Sequence, residues 1–461
     1  METRRKKDRR IEDKRINFRN RRRFDRRMDI EEFKKIIFAS KKDQSPDKRR
    51  IVITGIGVVA PNGIGKEEFW ENLANGVSGI KNISLFDTDK YASKRAGEIS
   101  DFNPAQYLGR KGLRTLDRST LLLAVATKLA MEDGQIEIDE INTYDTGIVT
   151  GTSMGSVKSI SEFDKTSLVE GPSNVNPALF PNTVINSPSS HVSILFDIRG
   201  LNVTISSGFC SALDALIYAY DSIKLNKVNR IFSGSVEELC HQTFLGFYKA
   251  GCLSAENSGS TCNEESMPFD KRRNGIVLGE GAGILLLESL DCAQERKANI
   301  YGEILGFGKT FDPMSHPGHY NPNAEGPIKA MDMALKNAHL KPQDIDLICA
   351  CANSSPVGDH IETMAIKETF GQYAHNIPIT AVKSMIGEVY SASGSFQMIT
   401  ALLAINKGII SPTINYKEKD PRCDLSYVFN ISRESEVSKI MVNAFSPHGN
   451  HVSIIIGGYH P

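Results

Sequence analysis

A cysteine stands at the start of a predicted helix in residues 202–214, whose sequence is NVTISSGFCSALD. The β-branched residues at 203–205 predict a buried strand, and the small residues after them predict a tight turn into the helix. A thiol at a helix N-terminus has a lowered pKa and attacks acyl groups readily. However, Phe209 takes the first place after the small turn residues, and Cys210 takes the next.

This offset of one residue decides which side chain faces a site at the turn. Successive side chains on a helix differ in direction by about 100°. We therefore expect Cys210 to be packed inside the protein, on a different side from Phe209. The alternative is a nucleophile shifted by one residue, in which Cys210 carries the chemistry.

Other side chains that could take part in catalysis follow the later predicted strands. Cys351 ends a strand predicted over 346–351, and Lys383 and Glu388 come soon after a strand predicted over 378–381. Lys383 either pairs with Glu388 or remains a structural cation. His448 and His451 precede the last predicted strand. They are either solvated side chains or a replacement for the missing catalytic acid or base.

Predicted strands alternate with predicted helices twice along the chain, which indicates an α/β protein with two related halves. We expect an N-terminal half at 49–297 and a C-terminal half at 298–461. The predicted strands are 51–59, 146–149, 202–206, 231–235, 302–308, 346–351, 378–381, 439–444 and 452–457. The predicted helices are 66–75, 117–133, 209–225, 326–338 and 387–406.

The net charge of zero hides a basic tail on an acidic body. Residues 1–50 hold 21 Lys and Arg against 10 Asp and Glu, which leaves 34 against 45 in the remaining residues. Residues 1–48 carry many like charges that repel one another, and they have little apolar surface to bury. We therefore expect them to be disordered. The preferred interpretation is a solvated extension. A docking arm for an acidic partner, either a carrier protein or nucleic acid, is the alternative.

Composition excludes several classes of protein. Eight cysteines without a CxxC pair argue against a metal cluster or a disulfide framework. The glycines of GEGAG at 279–283 are not followed by the GK[ST] of a phosphate loop, and we expect no cofactor. The sequence contains no apolar run of 18 residues and begins without an apolar signal core, so we expect a cytoplasmic protein that does not span a membrane.

The segment PFDKRRNGIVLGEGAG at 268–283 resembles the PFDxxRDGFVxGEGAG signature of β-ketoacyl synthases, the condensing enzymes of fatty-acid and polyketide assembly. Weaker similarity extends over residues 49–459. The resemblance implies a thiolase-type fold with αβαβα layers, and a dimer whose sheets join across the two-fold axis.

The resemblance also assigns roles to positions, and this chain departs from the family at most of them. Phe209 falls on the acyl-carrying cysteine. Cys351 and Glu388 fall on the two histidines that assist decarboxylation and stabilise the enolate. Ionised Glu388 accepts hydrogen bonds only, and its charge opposes an enolate.

Two further departures concern the oxyanion hole and a conserved ion pair. Pro447 falls on a position whose backbone N–H helps to form the oxyanion hole, and proline has no N–H to donate. Lys383 matches the family's lysine, but the carboxylate fourteen residues later is replaced by Gln397.

Together these departures predict a catalytically inactive subunit similar to the chain-length factors of type II polyketide synthases. Such a subunit pairs with an active β-ketoacyl synthase and serves acyl carrier protein, in polyketide or specialised fatty-acid biosynthesis. Phe180, Asn182, Thr183 and Asn186 fall on a segment that crosses the family's dimer interface near the acyl tunnel, which makes them candidates for setting chain length. The alternatives are a malonyl-carrier-protein decarboxylase that uses the residual pocket with Lys383 or His448, and an active synthase that uses Cys210.

Overall fold

Two five-stranded halves with the same strand order form one large mixed sheet, which is the framework of the protein. The computed structural model describes residues 49–255, 264–314 and 320–460. The predicted basic tail, 1–48, lies outside the described residues. The strands are β1 (Ile51–Ala60), β2 (Gly63–Ile64), β3 (Ile80–Asn82), β4 (Arg95–Gly97), β5 (Thr146–Gly151), β6 (Asn202–Ile205), β7 (Arg230–Glu237), β8 (Leu278–Gly279), β9 (Gly281–Ser289), β10 (Gly302–Phe311), β11 (Leu347–Cys349), β12 (Ile379–Thr380), β13 (Ile409–Ile410), β14 (Arg433–Glu434), β15 (Lys439–Phe445) and β16 (Asn450–Gly457).

The helices alternate with these strands. They are α1 (Lys66–Ala74), α2 (Ala105–Leu108), α3 (Arg118–Asp133), α4 (Val157–Val169), α5 (Ser187–Phe196), α6 (Ser211–Lys224), α7 (His241–Lys249), α8 (Leu290–Glu295), α9 (Glu325–Asn337), α10 (Gly358–Phe370), α11 (Lys383–Ile386) and α12 (Ser393–Lys407).

Strand order shows the internal repeat directly. The N-terminal half runs β6-β5-β7-β9-β1, and the C-terminal half runs β12-β11-β15-β16-β10. In both halves the first three strands are parallel and the last two are antiparallel to their neighbours. β1 and β10 then pair antiparallel, with Val52 opposite Glu303. The predicted boundary at residues 297–298 falls in the link between α8 and β10.

Helices cover both halves of the sheet and fill the space between them. α3 packs on β1 and β9, and α9 packs on β10 and β16. α6 and α12 contact each other, and α12 lies against both β9 and β15, so these two helices form the central layer. α12 is buried around its whole circumference, as expected of a helix in a central layer, and all of residues 393–404 are buried. The predicted thiolase-type αβαβα fold is confirmed.

One predicted helix boundary is wrong. The helix predicted over 387–406 begins at Ser393, because the backbone breaks twice before it. Gly387 has a φ of +78° and Tyr390 a φ of +44°, both in the left-handed region that a right-handed helix excludes. The break leaves Lys383 and Glu388 on α11 and on the turn after it, ahead of the long helix.

Candidate functional site

The turn that carries Phe209 and Cys210 lies between β6 and α6. Gly208, with a φ of +65°, starts a short 3₁₀ turn that continues into α6. The hydroxyl of Ser211 accepts a hydrogen bond from the Ser207 amide (2.9 Å) and donates one to the Gly208 carbonyl (2.7 Å). These bonds hold the turn in place and fix the directions of the two side chains that follow it.

Phe209 fills its position with an aromatic ring. Its side chain is 9% exposed and lies edge-on to Phe247 and to Tyr390, at centroid distances of 6.4 and 6.3 Å. Phe247 and Tyr390 stack on each other at 4.9 Å. Aromatic pairs in these geometries attract each other beyond the area they bury. The three rings therefore form a stable apolar cluster at the place where a nucleophile is expected.

Cys210 points into the core instead. Its side chain is fully buried, and its single S–H proton is shared between the carbonyls of Ala444 and Asn450 on the last two strands, which lie 3.1 and 3.2 Å from the sulfur. Burial, assisted by the nearby charge of Asp214, raises the pKa of this thiol well above its ordinary value. A neutral thiol held by two carbonyls is a poor nucleophile. This geometry does not favour the alternative in which Cys210 carries the chemistry.

Lys383 and Glu388 form a buried ion pair. Lys383 Nζ lies 2.9 Å from Glu388 Oε2, with side-chain exposures of 1% and 0%. Lys383 also donates to the Cys351 carbonyl (2.7 Å). Burial alone would lower the pKa of Lys383, but the Cys351 sulfur and the Glu388 carboxylate raise it above its ordinary value. Lys383 is therefore protonated and already engaged within the protein.

Two further donors complete the surroundings of Glu388. Asn353 Nδ2 donates to Oε2 and Ser393 Oγ donates to Oε1, each at 2.6 Å. Sequence reasoning missed both residues. Asn353 follows β11 and lies 35 residues before Glu388, and Ser393 begins α12, across a turn from Glu388. With Lys383, they satisfy both carboxylate oxygens.

Cys351 belongs to the same buried region. Its sulfur accepts from the Phe445 amide (3.2 Å) and lies 3.7 Å from Lys383 Nζ. Burial raises the pKa of the Cys351 thiol to about 12. The backbone N–H groups of Cys351 and Ala352 donate to Glu362, a carboxylate that sequence analysis did not single out, at 2.9 and 2.8 Å. Burial raises the pKa of Glu362 to about 7.

Gln397 holds three backbone segments together. Its Nε2 donates to the carbonyls of Ala350 (2.7 Å) and Asn443 (2.9 Å), with a longer contact to that of Cys349 (3.3 Å). A carboxylate at this position would face the same oxygens without a proton to donate. Gln397 thus satisfies these carbonyls, and Lys383 pairs with Glu388.

The turn between β15 and β16 carries Pro447 and His448, whereas His451 is the second residue of β16 and pairs with Phe445. Pro447 and His448 lie in a tight turn closed by a bond from the Gly449 amide to the Ser446 carbonyl (3.1 Å). The His448 side chain is exposed, whereas His451 is buried. Burial lowers the pKa of His451 to about 4, so His451 is neutral at pH 7. Neither histidine joins the Lys383–Glu388 pair.

Three of the candidate chain-length residues lie on a 3₁₀ segment, Pro177–Thr183, and the fourth, Asn186, directly precedes α5. Phe180 is 58% exposed, and Asn186 is also exposed. Asn182 is buried and donates through Nδ2 to the Thr115 carbonyl (2.8 Å), so it anchors the segment. Thr183 donates to the Phe180 carbonyl (2.8 Å). The structure therefore presents Phe180 outward and uses Asn182 and Thr183 to hold the local backbone.

Two negative findings concern membranes and metals. Within residues 49–255, 264–314 and 320–460, no helix has the length and apolar character needed to cross a bilayer. The same described residues contain no group of three or more His, Cys, Asp or Glu side chains that could hold a metal ion.

Sequence comparison identifies the family. The N-terminal domain of β-ketoacyl synthases matches residues 48–293, and their C-terminal domain matches residues 301–417. The 3-oxoacyl-[acyl-carrier-protein] synthase 2 of Coxiella burnetii is 35% identical over 414 residues, which cover 89% of this chain and 99% of that protein. The enzyme of the same name from Synechocystis is 33% identical and covers 90% of this chain and 99% of its own.

Structure comparison gives the same result. The ishigamide ketosynthase/chain length factor superposes with a TM-score of 0.82 at 31% identity, covering 89% of this chain and 100% of the other. A β-ketoacyl synthase from Burkholderia phymatum gives a TM-score of 0.81 at 28% identity, with the same coverage of both chains. Fold and comparisons together define a condensing-enzyme scaffold. The chain belongs to the β-ketoacyl synthase family.

Proposed function

We propose that this chain is a catalytically inactive β-ketoacyl-synthase-like subunit that pairs with an active ketosynthase and, like a chain-length factor, helps to define product length. The observation that carries the proposal is the turn before α6. Phe209 occupies the position of the acyl-carrying cysteine, and the Cys210 thiol is turned into the core and bonded to Ala444 and Asn450. A covalent acyl intermediate has no thiolate to form on.

The buried ion pair supports the same conclusion. At the positions of the family's two histidines, the chain has a neutral thiol, Cys351, and a carboxylate, Glu388. The Cys351 S–H is only a weak donor and faces the Phe445 carbonyl at 3.4 Å, and ionised Glu388 can only accept, so neither replaces the donor that a developing enolate requires. Lys383 is bonded to Glu388 and to a backbone carbonyl, which disfavours the decarboxylase alternative.

An apolar face supports pairing with another protein. It comprises α4, the 3₁₀ segment, α5 and the edge strand β6, which pack against one another in sequence. Large apolar side chains exposed on it are Leu168, Val169, Leu179, Phe180, Val184, Ile185, Ile194 and Leu195. Exposed apolar side chains on neighbouring elements are typical of a protein–protein interface, and an edge strand offers unpaired backbone groups to a partner strand. Phe180, which lies 5.9 Å from the Phe163 ring, is our candidate for reaching the partner's acyl tunnel.

A basic loop beside this face supports contact with acyl carrier protein. Arg110, Lys111 and Arg114 are exposed, and the loop connects to the interface segment through the Asn182–Thr115 hydrogen bond. Clustered cations attract an acidic partner and speed its association. One structural relative of 28% identity is described as a type II polyketide synthase ketosynthase in complex with its acyl-carrier protein.

Co-expression with candidate ketosynthases tests the proposal. We expect a stable heterodimer on size-exclusion chromatography, products whose length changes in a Phe180→Ala variant, and no product from the chain alone. Ile194→Asp, on the same face, should prevent pairing without unfolding the exposed helix. A Cys210→Ser variant should leave the products unchanged. A homodimer that makes 3-ketoacyl products or releases carbon dioxide from malonyl-carrier protein unaided would overturn the proposal.

A further inference from the structure

Three hydrogen-bond donors from separate segments converge on the Glu388 carboxylate. Lys383 Nζ (2.9 Å) and Asn353 Nδ2 (2.6 Å) reach Oε2, and Ser393 Oγ (2.6 Å) reaches Oε1. The three donors are buried, with exposures of 1%, 9% and 2% respectively. One cation and two neutral donors around a carboxylate make a complete anion-binding arrangement, and charge-assisted bonds are the strongest of their kind.

Each donor is also held by a contact that does not involve Glu388. Lys383 Nζ donates to the Cys351 carbonyl at 2.7 Å. Ser393 Oγ accepts from the Val389 amide at 3.0 Å, and Asn353 Oδ1 accepts from the Ser355 amide at 3.2 Å. The donors therefore keep their positions when the carboxylate side chain is absent, which is the condition for a preorganised site.

We infer that Lys383, Asn353 and Ser393 form a carboxylate-binding site that the chain fills with its own Glu388, and that this site takes a small free carboxylate once the Glu388 side chain is removed. The inference concerns this cluster alone and does not depend on the identity of a partner subunit. In the native chain, the internal carboxylate excludes external ones.

A small cavity lies beside the site and shares Asn353 with it. It measures about 10 Å³ and is lined by Tyr320, Cys351, Asn353, Glu362 and Phe445, among other residues. This volume is about the minimum for one water molecule. Since Asn353 lies on its wall and donates to Glu388, removal of the carboxylate extends the cavity to the three donors. The added space corresponds to a methylene and a carboxylate, which suits formate and acetate and excludes longer acids.

Thermal unfolding of Glu388→Ala in formate tests the inference. We expect the variant to have a lower Tm than the wild type, and sodium formate to raise that Tm in a saturable manner that the same concentration of sodium chloride does not reproduce. A ligand that binds only the folded state stabilises it by mass action. Acetate, which matches the vacated methylene and carboxylate, should act at least as strongly as formate, and butyrate should have no effect beyond that of chloride.

Two variants serve as matched controls. Glu388→Gln keeps the volume filled, and Lys383→Met/Glu388→Ala opens the same space without the cation. Neither should respond to formate more than to chloride. An unchanged Tm of Glu388→Ala in formate, or an equal response in the double variant, would overturn the inference.

A folding-yield measurement covers the case in which Glu388→Ala is insoluble. Expression and refolding in formate should then recover soluble protein, and chloride should not. Protein that stays insoluble in formate and acetate alike would also overturn the inference.

Discussion

Lys383→Met tests whether the Lys383–Glu388 pair acts as a single buried unit. The substitution removes the cation and leaves a carboxylate with 0% side-chain exposure. Removing one partner of a buried pair costs about 3–5 kcal/mol, because the remaining charge is left uncompensated. Asn353 and Ser393 still donate to Glu388, so we expect a loss near the lower end, about 3 kcal/mol.

A double-mutant cycle with Glu388→Met separates the pair from its surroundings. Each single variant leaves one charge buried, whereas Lys383→Met/Glu388→Met leaves none. We expect the double variant to lose about 2–3 kcal/mol less than the sum of the two single losses.

Urea unfolding at pH 7 gives these free energies, with the fluorescence of the single tryptophan, Trp70, as the probe. Trp70 is buried in the main hydrophobic core cluster, so its fluorescence changes when that core unfolds. Single losses that add up to the double loss within about 0.5 kcal/mol would refute the reasoning, because independent sites behave in that way.

Three further predictions concern positions around this unit. Phe209→Cys should lower the free energy of unfolding by about 2–4 kcal/mol, because the buried ring is lost. The variant should gain a thiol that iodoacetamide modifies, yet yield no 3-ketoacyl product. Condensation detected by mass spectrometry would contradict this prediction. Gln397→Glu should cost about 3 kcal/mol in urea unfolding, because a carboxylate has no proton for the facing carbonyls, and a fully stable variant would count against this. Burial raises the pKa of Glu237 from 4.5 to about 7, so the free energy of unfolding should fall by about 3 kcal/mol for this group as pH rises through that range. Glu237→Gln should remove that part of the pH dependence in urea titrations at several pH values, and an unchanged slope would exclude the assignment.

The sequence was sufficient for those parts of the fold that depend on local pattern. β1, predicted over 51–59, is Ile51–Ala60, and the helix predicted over 326–338 is Glu325–Asn337. β-branched runs and helical periodicity are local signals, and tertiary contacts agree with them here. The direction of Cys210 followed from the same local geometry, since one helical step was enough to separate it from Phe209.

Parts of the site depend on contacts that no local pattern reveals. Asn353 bonds to Glu388, 35 residues later, and Glu362 accepts from the Cys351 amide across the turn that leads into α10. The residue types alone carry no signal that these polar side chains are buried. Tyr390 adopts a positive φ, which is rare outside glycine, so the sequence predicted an unbroken helix there. Pairing of Lys383 with Glu388 was one of two options from sequence, and only the folded backbone decides between them.

Because the Cys210 sulfur points into the core, selective labelling of active-site cysteines can be used to count the subunits of the proposed assembly. An electrophile directed at the acyl-carrying cysteine of a ketosynthase would find a phenyl ring at that position in this chain, and a thiol already bonded to two carbonyls behind it. In the proposed pair, such a reagent would label only the ketosynthase partner at this position. The ratio of labelled active-site cysteines to total protein would then read out the stoichiometry of the assembly, with one label for each pair of chains.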